Sequence, residues 1–174
     1  MRSFRTAWFI LVLAMLPCRL VATDQDEPAR KGSDADVLLT ISGEVERPLK
    51  LTAEALGKIT RQTVHAKDHD GKEADFEGFS LHDVLKSAGV KFGQDLRGKA
   101  LETYLVVEAK DQYRAVFALP ELDPAFSDRV ILLADRRDKK PLDEKHGPFQ
   151  IIVPGEKRHA RWVRQVVTLK IGRA

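Results

Sequence analysis

The sequence predicts a single α+β domain in which strands outnumber short helices. Apolar and polar residues alternate over several short segments, a pattern typical of strands that are buried on one face. The two segments with helical periodicity are brief, and no internal repeat is present. A chain of 174 residues is long enough to bury one sizeable core. Together these observations indicate mixed β-sheets packed with short helices.

The first predicted elements are a strand, a short alternating segment and a helix. Val37–Ile41 is an apolar run that ends at a Ser-Gly pair, and Pro48–Leu51 alternates. Thr52 then provides a side chain that suits the N-cap of a helix. We therefore expect a short helix over Ala53–Lys58.

A hairpin and a second helix follow. Arg61–Ala66 and Glu73–Phe79 both alternate and flank an Asp-Gly pair, which is a strong signal for a hairpin turn. Ser80, with Asp83 three residues later, resembles a capping box. The apolar positions after Ser80 fall on one helical face, and Gly89 is expected to end this helix.

The second half of the chain is predicted to consist mainly of strands. A short helical turn is expected at residues 120–124 and a polar turn at 135–140. In the last strand, Val163 and Val167 are expected on the buried face. The predicted strands are Thr103–Ala109, Tyr113–Ala118, Arg129–Ala134, Phe149–Val153 and Trp162–Ile171.

The first residues have the pattern of a secretory signal peptide. A basic start, an apolar run and a small residue at position 22 predict cleavage after residues 1–22. The apolar run is about half the roughly 20 residues that a membrane span needs, although an uncleaved anchor is the alternative. Residues 23–36 are charged and are expected to form a flexible linker. The domain is therefore predicted at 37–174, in a bacterial periplasm.

Charge and cysteine content exclude several classes of protein. Removing residues 1–22 takes away three arginines and no acid, so the formal charge falls from +3 to zero. A neutral chain argues against nucleic acid as the main partner. Residues 136–174 nevertheless carry a net charge of +7, which suggests one face that attracts anions. Because Cys18 is the only cysteine, the mature domain is expected to have no disulfide and no thiolate metal site.

Four phrases, in order along the chain, resemble the sulfite oxidase-like molybdopterin-binding domain, and in particular its small exported members. They are FEGFSLHDVLKSAGV (76–90), VVEAKDQYRAVFALPELDPAF (106–126), VILLADRRDKKPL (130–142) and HGPFQIIVPGEKRHARWVRQV (146–166). The resemblance implies mixed sheets around a cleft that binds a pterin.

The chain departs from that family at two positions that matter for chemistry. The resemblance implies that a cysteine after the first helix ligates molybdenum, but the equivalent segment here, Arg61–Asp68, contains none. The enzymes also tend to carry an arginine where this chain has Gln150. A thiolate cannot be replaced by a histidine or lysine in such a centre. We therefore expect no molybdenum.

The resemblance implies a non-catalytic function. Similar stand-alone proteins bind a reduced pterin, and a molybdopterin-derived pterin is one candidate here. They relay its presence to the periplasmic domain of an inner-membrane cyclic-di-GMP signalling protein. Two alternatives stay open: a molybdopterin-dependent oxidoreductase or one of its subunits, and a structural envelope protein that has lost the cleft.

The candidate site residues suit a flat, anionic ligand. Arg158 and Arg161 would donate bidentate hydrogen bonds to an anion, and Trp162 would stack on a planar ring. The alternative is that Trp162 belongs to the core and the arginines to the surface. If Arg161 lies in the final strand, it shares a face with Val163, while Trp162 and Arg164 share the other.

Four further residues complete the predicted site. Tyr113 is expected to direct its hydroxyl at the ligand, His146 to donate to an anion, and Gly147 to let the backbone approach closely. His65 is expected as a polar wall of the cleft. The sequence indicates no catalytic set and no metal ligands, because His65 and His69 need not converge across a hairpin.

Overall fold

The computed structural model describes residues 36–174, which form two β-sheets around one hydrophobic core. The predicted signal peptide, 1–22, lies outside the described residues, as does the predicted linker, 23–36, except for its last residue. The strands are β1 (Leu39–Gly43), β2 (Leu49–Leu51), β3 (Arg61–Lys67), β4 (Glu73–Ser80), β5 (Thr103–Ala109), β6 (Arg114–Ala118), β7 (Leu132–Arg137), β8 (Lys140–Pro141), β9 (Gln150–Ile152) and β10 (Val166–Arg173). The helices are α1 (Ala53–Gly57), α2 (Leu81–Ser87) and α3 (Leu119–Leu122), with 3₁₀ turns at Gly93–Asp95, Gly98–Glu102 and His159–Arg161.

The first sheet has the strand order β2-β1-β10-β5-β6, so the last strand of the chain lies at its centre. β10 runs parallel to β1 and antiparallel to β5. The second sheet has the order β3-β4-β7-β8, and β9 also pairs with β7. Mixed sheets with short helices confirm the predicted α+β class.

Strict alternation explains how the two sheets share a core. Along β5, every second side chain from Thr103 to Ala109 is buried, and β6 shows the same period. The side chains that are buried almost completely come from both sheets and from α2; they include Ile41, Phe76, Leu81, Leu85, Leu105, Phe117, Leu133 and Ile151. A single contiguous core is what a domain of this size requires.

The local signals for helices and hairpins are confirmed. The Thr52 Oγ1 accepts a hydrogen bond from the Ala55 N–H at 3.4 Å, and the Ser80 Oγ accepts one from the Asp83 N–H at 3.1 Å. These contacts cap α1 and α2. Gly71 lies in the turn between β3 and β4 with φ of +80°, a conformation that glycine adopts without steric cost.

Two predicted strands begin three or more residues away from their observed starts, and the first of them is β7. It begins at Leu132 and continues to Arg137, because it pairs with β4, β8 and β9. The predicted polar turn shrinks to Asp138 and Lys139, which have φ of +49° and +65°. Positive φ at both positions is the signature of a tight two-residue hairpin turn.

The final strand begins at Val166, not at Trp162. Gln165 has a left-handed φ of +49°, which interrupts extended backbone before β10. The pairing with β5 then shifts between Val166 and Thr168, as at a β-bulge. Val167 is therefore exposed, contrary to the expected burial.

The described helices are short. Within residues 36–174, none combines the length and apolar content that crossing a membrane would require.

Gly78 in β4 is expected to tolerate no side chain. A Cβ there would lie 2.1 Å from the Leu133 carbonyl oxygen and 2.7 Å from the Ala134 Cα, and both are backbone atoms of β7. We predict that Gly78→Ala lowers the free energy of unfolding by about 2–3 kcal/mol. Urea unfolding, monitored by circular dichroism, measures this difference in the free energy of unfolding.

Gly57→Ala is the matched control, because no atom lies within 4 Å of the position that a Cβ on Gly57 would occupy. This variant should be as stable as the wild type, or slightly more stable, because alanine favours helix. Equal urea midpoints for the two variants would contradict the predicted clash.

Candidate functional site

A cleft of 480 Å³ lies where the β5–β6 loop meets the segment that precedes β10. Its volume is in the range of small-molecule sites. It is lined by Ala109, Asp111, Tyr113, Lys145, His159, Ala160, Trp162, Val163, Arg164 and Gln165.

The β5–β6 loop forms one wall of the cleft. The Ala109 N–H donates to the Tyr113 carbonyl at 2.9 Å, and Gln112 takes the left-handed conformation that closes the loop. The Asp111 Oδ1 accepts from the Tyr113 N–H at 3.0 Å, and the Tyr113 hydroxyl donates to the Ala160 carbonyl at 2.7 Å. The Tyr113 ring, half exposed, is thus fixed at both ends.

The opposite wall is built around Trp162. Its side chain is only 5% exposed, and its Nε1 donates to the Val153 carbonyl at 3.1 Å. The ring meets Phe76 and His159 edge to face, with centroid distances of 5.6 and 4.3 Å. Trp162 is therefore mainly a core residue whose margin reaches the cleft, in line with the alternative interpretation of the sequence.

His159 connects this wall to the second sheet. Its Nε2 lies 2.9 Å from the Lys67 carbonyl oxygen at the end of β3. Because a carbonyl only accepts, Nε2 must carry the proton in this contact.

Gln165 joins three segments at the floor of the cleft. Its N–H donates to the His146 carbonyl at 3.0 Å, its carbonyl accepts from the Lys110 N–H at 3.0 Å, and its Nε2 donates to the Glu144 carbonyl at 2.6 Å. Left-handed backbone in a residue other than glycine costs about 1–3 kcal/mol and persists only where its surroundings hold it. These three hydrogen bonds provide that restraint.

The cleft is cationic. Lys145 and Arg164 line it, and within residues 36–174 neither side chain has an ion-pair partner. Asp111 is the one carboxylate among the lining residues. Two unpaired cations beside an aromatic ring suit a planar anion.

The structure places Tyr113 and Trp162 of the predicted site in this cleft. Gly147 instead lines a neighbouring groove of 510 Å³, which shares Gln165 with the cleft. A Cβ on Gly147 would lie 3.1 Å from the Asp143 carbonyl oxygen. The absence of a side chain at this position therefore relieves crowding within the turn that contains Gly147. The close approach of this backbone to a ligand stays a prediction.

His146 and Arg158 lie outside the cleft lining. The His146 Nδ1 is 2.6 Å from Asp143 Oδ1, and the imidazole is only 19% exposed. This contact with His146 lowers the pKa of the Asp143 carboxyl. Arg158 is exposed beside the 3₁₀ turn His159–Arg161, and among the described residues its side chain has no ion-pair or hydrogen-bond partner.

Arg161 is held inside the protein rather than directed at the cleft. Its Nη1 lies 2.9 Å from Glu121 Oε2, its Nε lies 2.7 Å from Glu156 Oε1, and its guanidinium carbon lies 4.6 Å from the centre of the Phe117 ring. Burial lowers the pKa of Arg161, but the hydrogen bonds to Glu156 and Glu121 raise it overall. Most of its donors are therefore occupied. Arg161 belongs to a 3₁₀ turn and not to the final strand, so the condition under which it would share a strand face with Val163 is not met.

His65 is placed on the exposed edge strand β3 and not among the residues lining the cleft. Its Nδ1 lies 2.8 Å from Asp75 Oδ1 and its Nε2 lies 3.5 Å from Glu73 Oε2. The hydrogen bond to Asp75, supported by the neighbouring negative charges, raises the pKa of His65. The expectation that His65 forms a wall of the cleft does not match this position.

The segment in which the resemblance predicts a metal-binding cysteine, Arg61–Asp68, forms β3 and the start of its turn. Asp68 at its end is buried and accepts from Arg137 Nη1 at 2.5 Å and from the His69 Nδ1 at 2.8 Å. Burial raises the pKa of Asp68, but the His69 and Arg137 contacts lower it overall. Across residues 36–174, no three His, Cys, Asp or Glu side chains converge as metal ligands would.

Several lining residues are not evident from the sequence. Arg164 stands out only as one of several cations, and Lys145, His159, Asp111 and Gln165 are absent from the predicted site. The tight β5–β6 loop is a usable signal for Asp111, since aspartate before a turn often caps its own backbone. The left-handed backbone of Gln165 has no comparable signal in the sequence.

Comparison with known proteins identifies a matching family and a similar fold. The sequence profile described as "Oxidoreductase molybdopterin binding domain" matches residues 27–173. A search of curated protein sequences finds no match. Among solved structures, the sulfane dehydrogenase SoxCD from Paracoccus pantotrophus is similar, with a TM-score of 0.61 and 24% sequence identity. The match covers 80% of this chain and 39% of that one, and at this identity it shows the fold alone.

Removing the Arg161 guanidinium should destabilise the cleft wall. Arg161→Gln leaves Glu156 without its cation, and the Glu156 Oε2 is buried with no hydrogen-bond partner among the described residues. We predict a loss of about 2 kcal/mol in the free energy of unfolding, less than for a fully buried pair because Arg161 is 29% exposed.

Arg158→Gln is the control, since it removes the same charge from an exposed residue of the same segment. Its stability should stay within about 0.5 kcal/mol of the wild type. Thermal and urea unfolding compare the two variants. Similar losses in both would show that general charge, and not the Glu121–Arg161–Glu156 contacts, stabilises this wall.

Proposed function

Because the chain belongs to the oxidoreductase molybdopterin-binding domain family, we propose that it binds a pterin in the cleft without catalysing a redox reaction. The observation that carries this proposal is the pairing of a fixed, half-exposed Tyr113 ring with two unpaired cations, Lys145 and Arg164, among the described residues. A flat heterocycle with an anionic substituent complements both features.

The residues that line the cleft suit a pterin better than they suit a molybdenum centre. Tyr113 and the margin of Trp162 offer aromatic surface, and Lys145 and Arg164 offer donors to a phosphate or carboxylate. A molybdenum centre of the related enzymes needs a thiolate, and Cys18 is the only cysteine. Gln150, where the similar enzymes tend to carry arginine, is buried in β9 and does not line the cleft.

Binding in this site is achieved by position and charge. Tyr113 is oriented by its contacts with Asp111 and Ala160, so little side-chain entropy is lost when a ring packs on it. Lys145 and Arg164 attract the anionic part of the ligand, and the buried Trp162 side excludes water from one flank. His159 presents no free Nε2 proton, since that proton is donated to the Lys67 carbonyl.

A binder without catalytic groups acts through a partner, which we propose to be the periplasmic domain of an inner-membrane cyclic-di-GMP signalling protein. The resemblance of the sequence to exported pterin-binding proteins motivates this partner and the periplasmic location. Arg158 is exposed directly beside the cleft wall, where a partner would sense whether the cleft is filled. The affinity of the full chain for that domain, measured with and without pterin, tests the relay.

The ligand can be tested with tryptophan fluorescence. Trp8 and Trp162 are the only tryptophans, so the full chain carrying Trp8→Phe reports on the cleft through Trp162. We predict saturable quenching by tetrahydrobiopterin and by pterin-6-carboxylate. Arg164→Gln should lower the affinity for pterin-6-carboxylate by about tenfold, since one charge-assisted hydrogen bond is lost. The affinity for unsubstituted pterin should change much less.

Arg97→Gln, an exposed arginine that is not among the cleft residues, controls for the loss of one charge. It should bind both compounds as the wild type does. A protein that shows no quenching with any of these pterins would exclude the proposed function.

The oxidoreductase alternative makes a different prediction about metal. Protein purified from molybdate-replete cells should contain far less than one molybdenum per chain by elemental analysis if the proposal holds, because no thiolate is available in the domain to ligate it. Stoichiometric molybdenum, together with retained pterin fluorescence, would instead support the enzyme or enzyme-subunit alternative.

A further inference from the structure

We propose that Asp111 selects the class of ligand by binding the aminopyrimidine edge of the pterin, so that the cleft accepts 2-amino-pteridines with an anionic tail. This inference rests on the proposed function and adds an orientation and a specificity to it. Asp111 is the one carboxylate that lines the cleft, and Lys145 and Arg164 are its two strong cations.

The Asp111 carboxylate is oriented and partly free. Its Oδ1 accepts from the Tyr113 N–H at 3.0 Å, an interaction across two residues that is typical of an Asx turn. The other oxygen, Oδ2, has no hydrogen-bond partner within residues 36–174. A carboxylate oxygen can accept more than one hydrogen bond, so acceptor capacity remains on both oxygens beside the Tyr113 ring.

The edge of a pterin matches this acceptor. The ring N–H and the neighbouring exocyclic amino group both point their hydrogens in the same direction, as the two donors of a guanidinium do. A carboxylate accepts such a pair bidentately, in the geometry that also favours arginine–carboxylate contacts. In the orientation that we propose, a ring packed on Tyr113 directs its donor edge at Asp111, which lines the same cleft.

Charge then fixes the direction of the ligand. An anionic tail is repelled by Asp111 and attracted by Lys145 and Arg164, whereas the donor edge has the opposite preference. The separation of one acceptor from two cations therefore favours a single orientation, which a uniformly cationic cleft would not do.

The lumazine ring provides a direct contrast. It carries a carbonyl where a pterin carries the amino group, so its oxygen would face the Asp111 carboxylate without a hydrogen between them. A site built to hydrogen-bond one group rejects analogues that lack it more strongly than an apolar pocket does. The cleft should therefore discriminate between two ligands of nearly the same size and shape.

The test compares pterin-6-carboxylate with lumazine-6-carboxylate by isothermal titration of the full chain. Wild-type protein should bind the pterin about tenfold more tightly, because a charge-assisted hydrogen bond is present with one ligand and absent with the other. Asp111→Asn keeps an Oδ1 acceptor for the Tyr113 N–H but removes the charge, and it should lose most of this preference. Asp128→Asn, an exposed aspartate outside the cleft, should keep it.

The outcomes separate this inference from the proposed function. If the wild type binds both compounds equally, or if Asp111→Asn keeps the full preference for the pterin, the role of Asp111 is overturned while pterin binding stands. If the wild type binds neither compound, the proposed function itself fails. Unchanged circular dichroism and thermal unfolding of Asp111→Asn verify that the loop has kept its fold.

Discussion

The insertion of the last strand into the centre of the first sheet is the constraint on which the remaining structure depends. β10 pairs with β1 on one side and with β5 on the other, so neither neighbour is complete until the final residues are in place. Val166 pairs with Ala109, which sets the residues before β10 against the β5–β6 loop. The cleft is therefore a product of strand order, because the pairing of β10 with β5 brings together two walls from distant parts of the sequence.

The same segment also connects the two sheets. The Ile151 N–H donates to the Val163 carbonyl at 2.8 Å and the Val166 N–H donates to the Phe149 carbonyl at 3.0 Å, so the chain before β10 runs beside β9, which pairs with β7 in the second sheet. The left-handed Gln165 turns the backbone between these contacts. The two arginines of this segment differ in their acidic neighbours. Arg161 forms ion pairs with Glu121 and Glu156, whereas Arg164 forms none within the described residues.

Much of the fold, but only part of the site, could be predicted from the sequence. Thr52, Ser80 and the Asp-Gly pair act within a few residues, so their caps and turn were recognisable from local chemistry. Arg161 and Arg164 look alike in sequence, and only the ion pairs of Arg161 with Glu156 and with Glu121, forty residues away, distinguish them. Glutamine seldom adopts left-handed backbone, so nothing in the sequence marks the turn at Gln165, and Trp162–Gln165 looked like a strand. His65 was misplaced because alternation identifies the exposed face of an edge strand but not which cavity that face borders.

A chain of side-chain contacts connects β3 to the wall of the cleft. β3 occupies the region where similar enzymes are expected to supply a thiolate, and here its last carbonyl, that of Lys67, accepts from His159 in the cleft wall. The His159 ring packs on Trp162, and Trp162 packs on Phe76. The guanidinium of Arg137 lies over the Phe76 ring. Arg137 also forms an ion pair with the buried Asp68, in the turn that follows β3. These contacts close a loop from the cleft wall through the core to the β3–β4 turn and back. The cleft wall is therefore structurally continuous with this exposed hairpin, and this continuity depends on aromatic packing, one ion pair and one hydrogen bond to backbone.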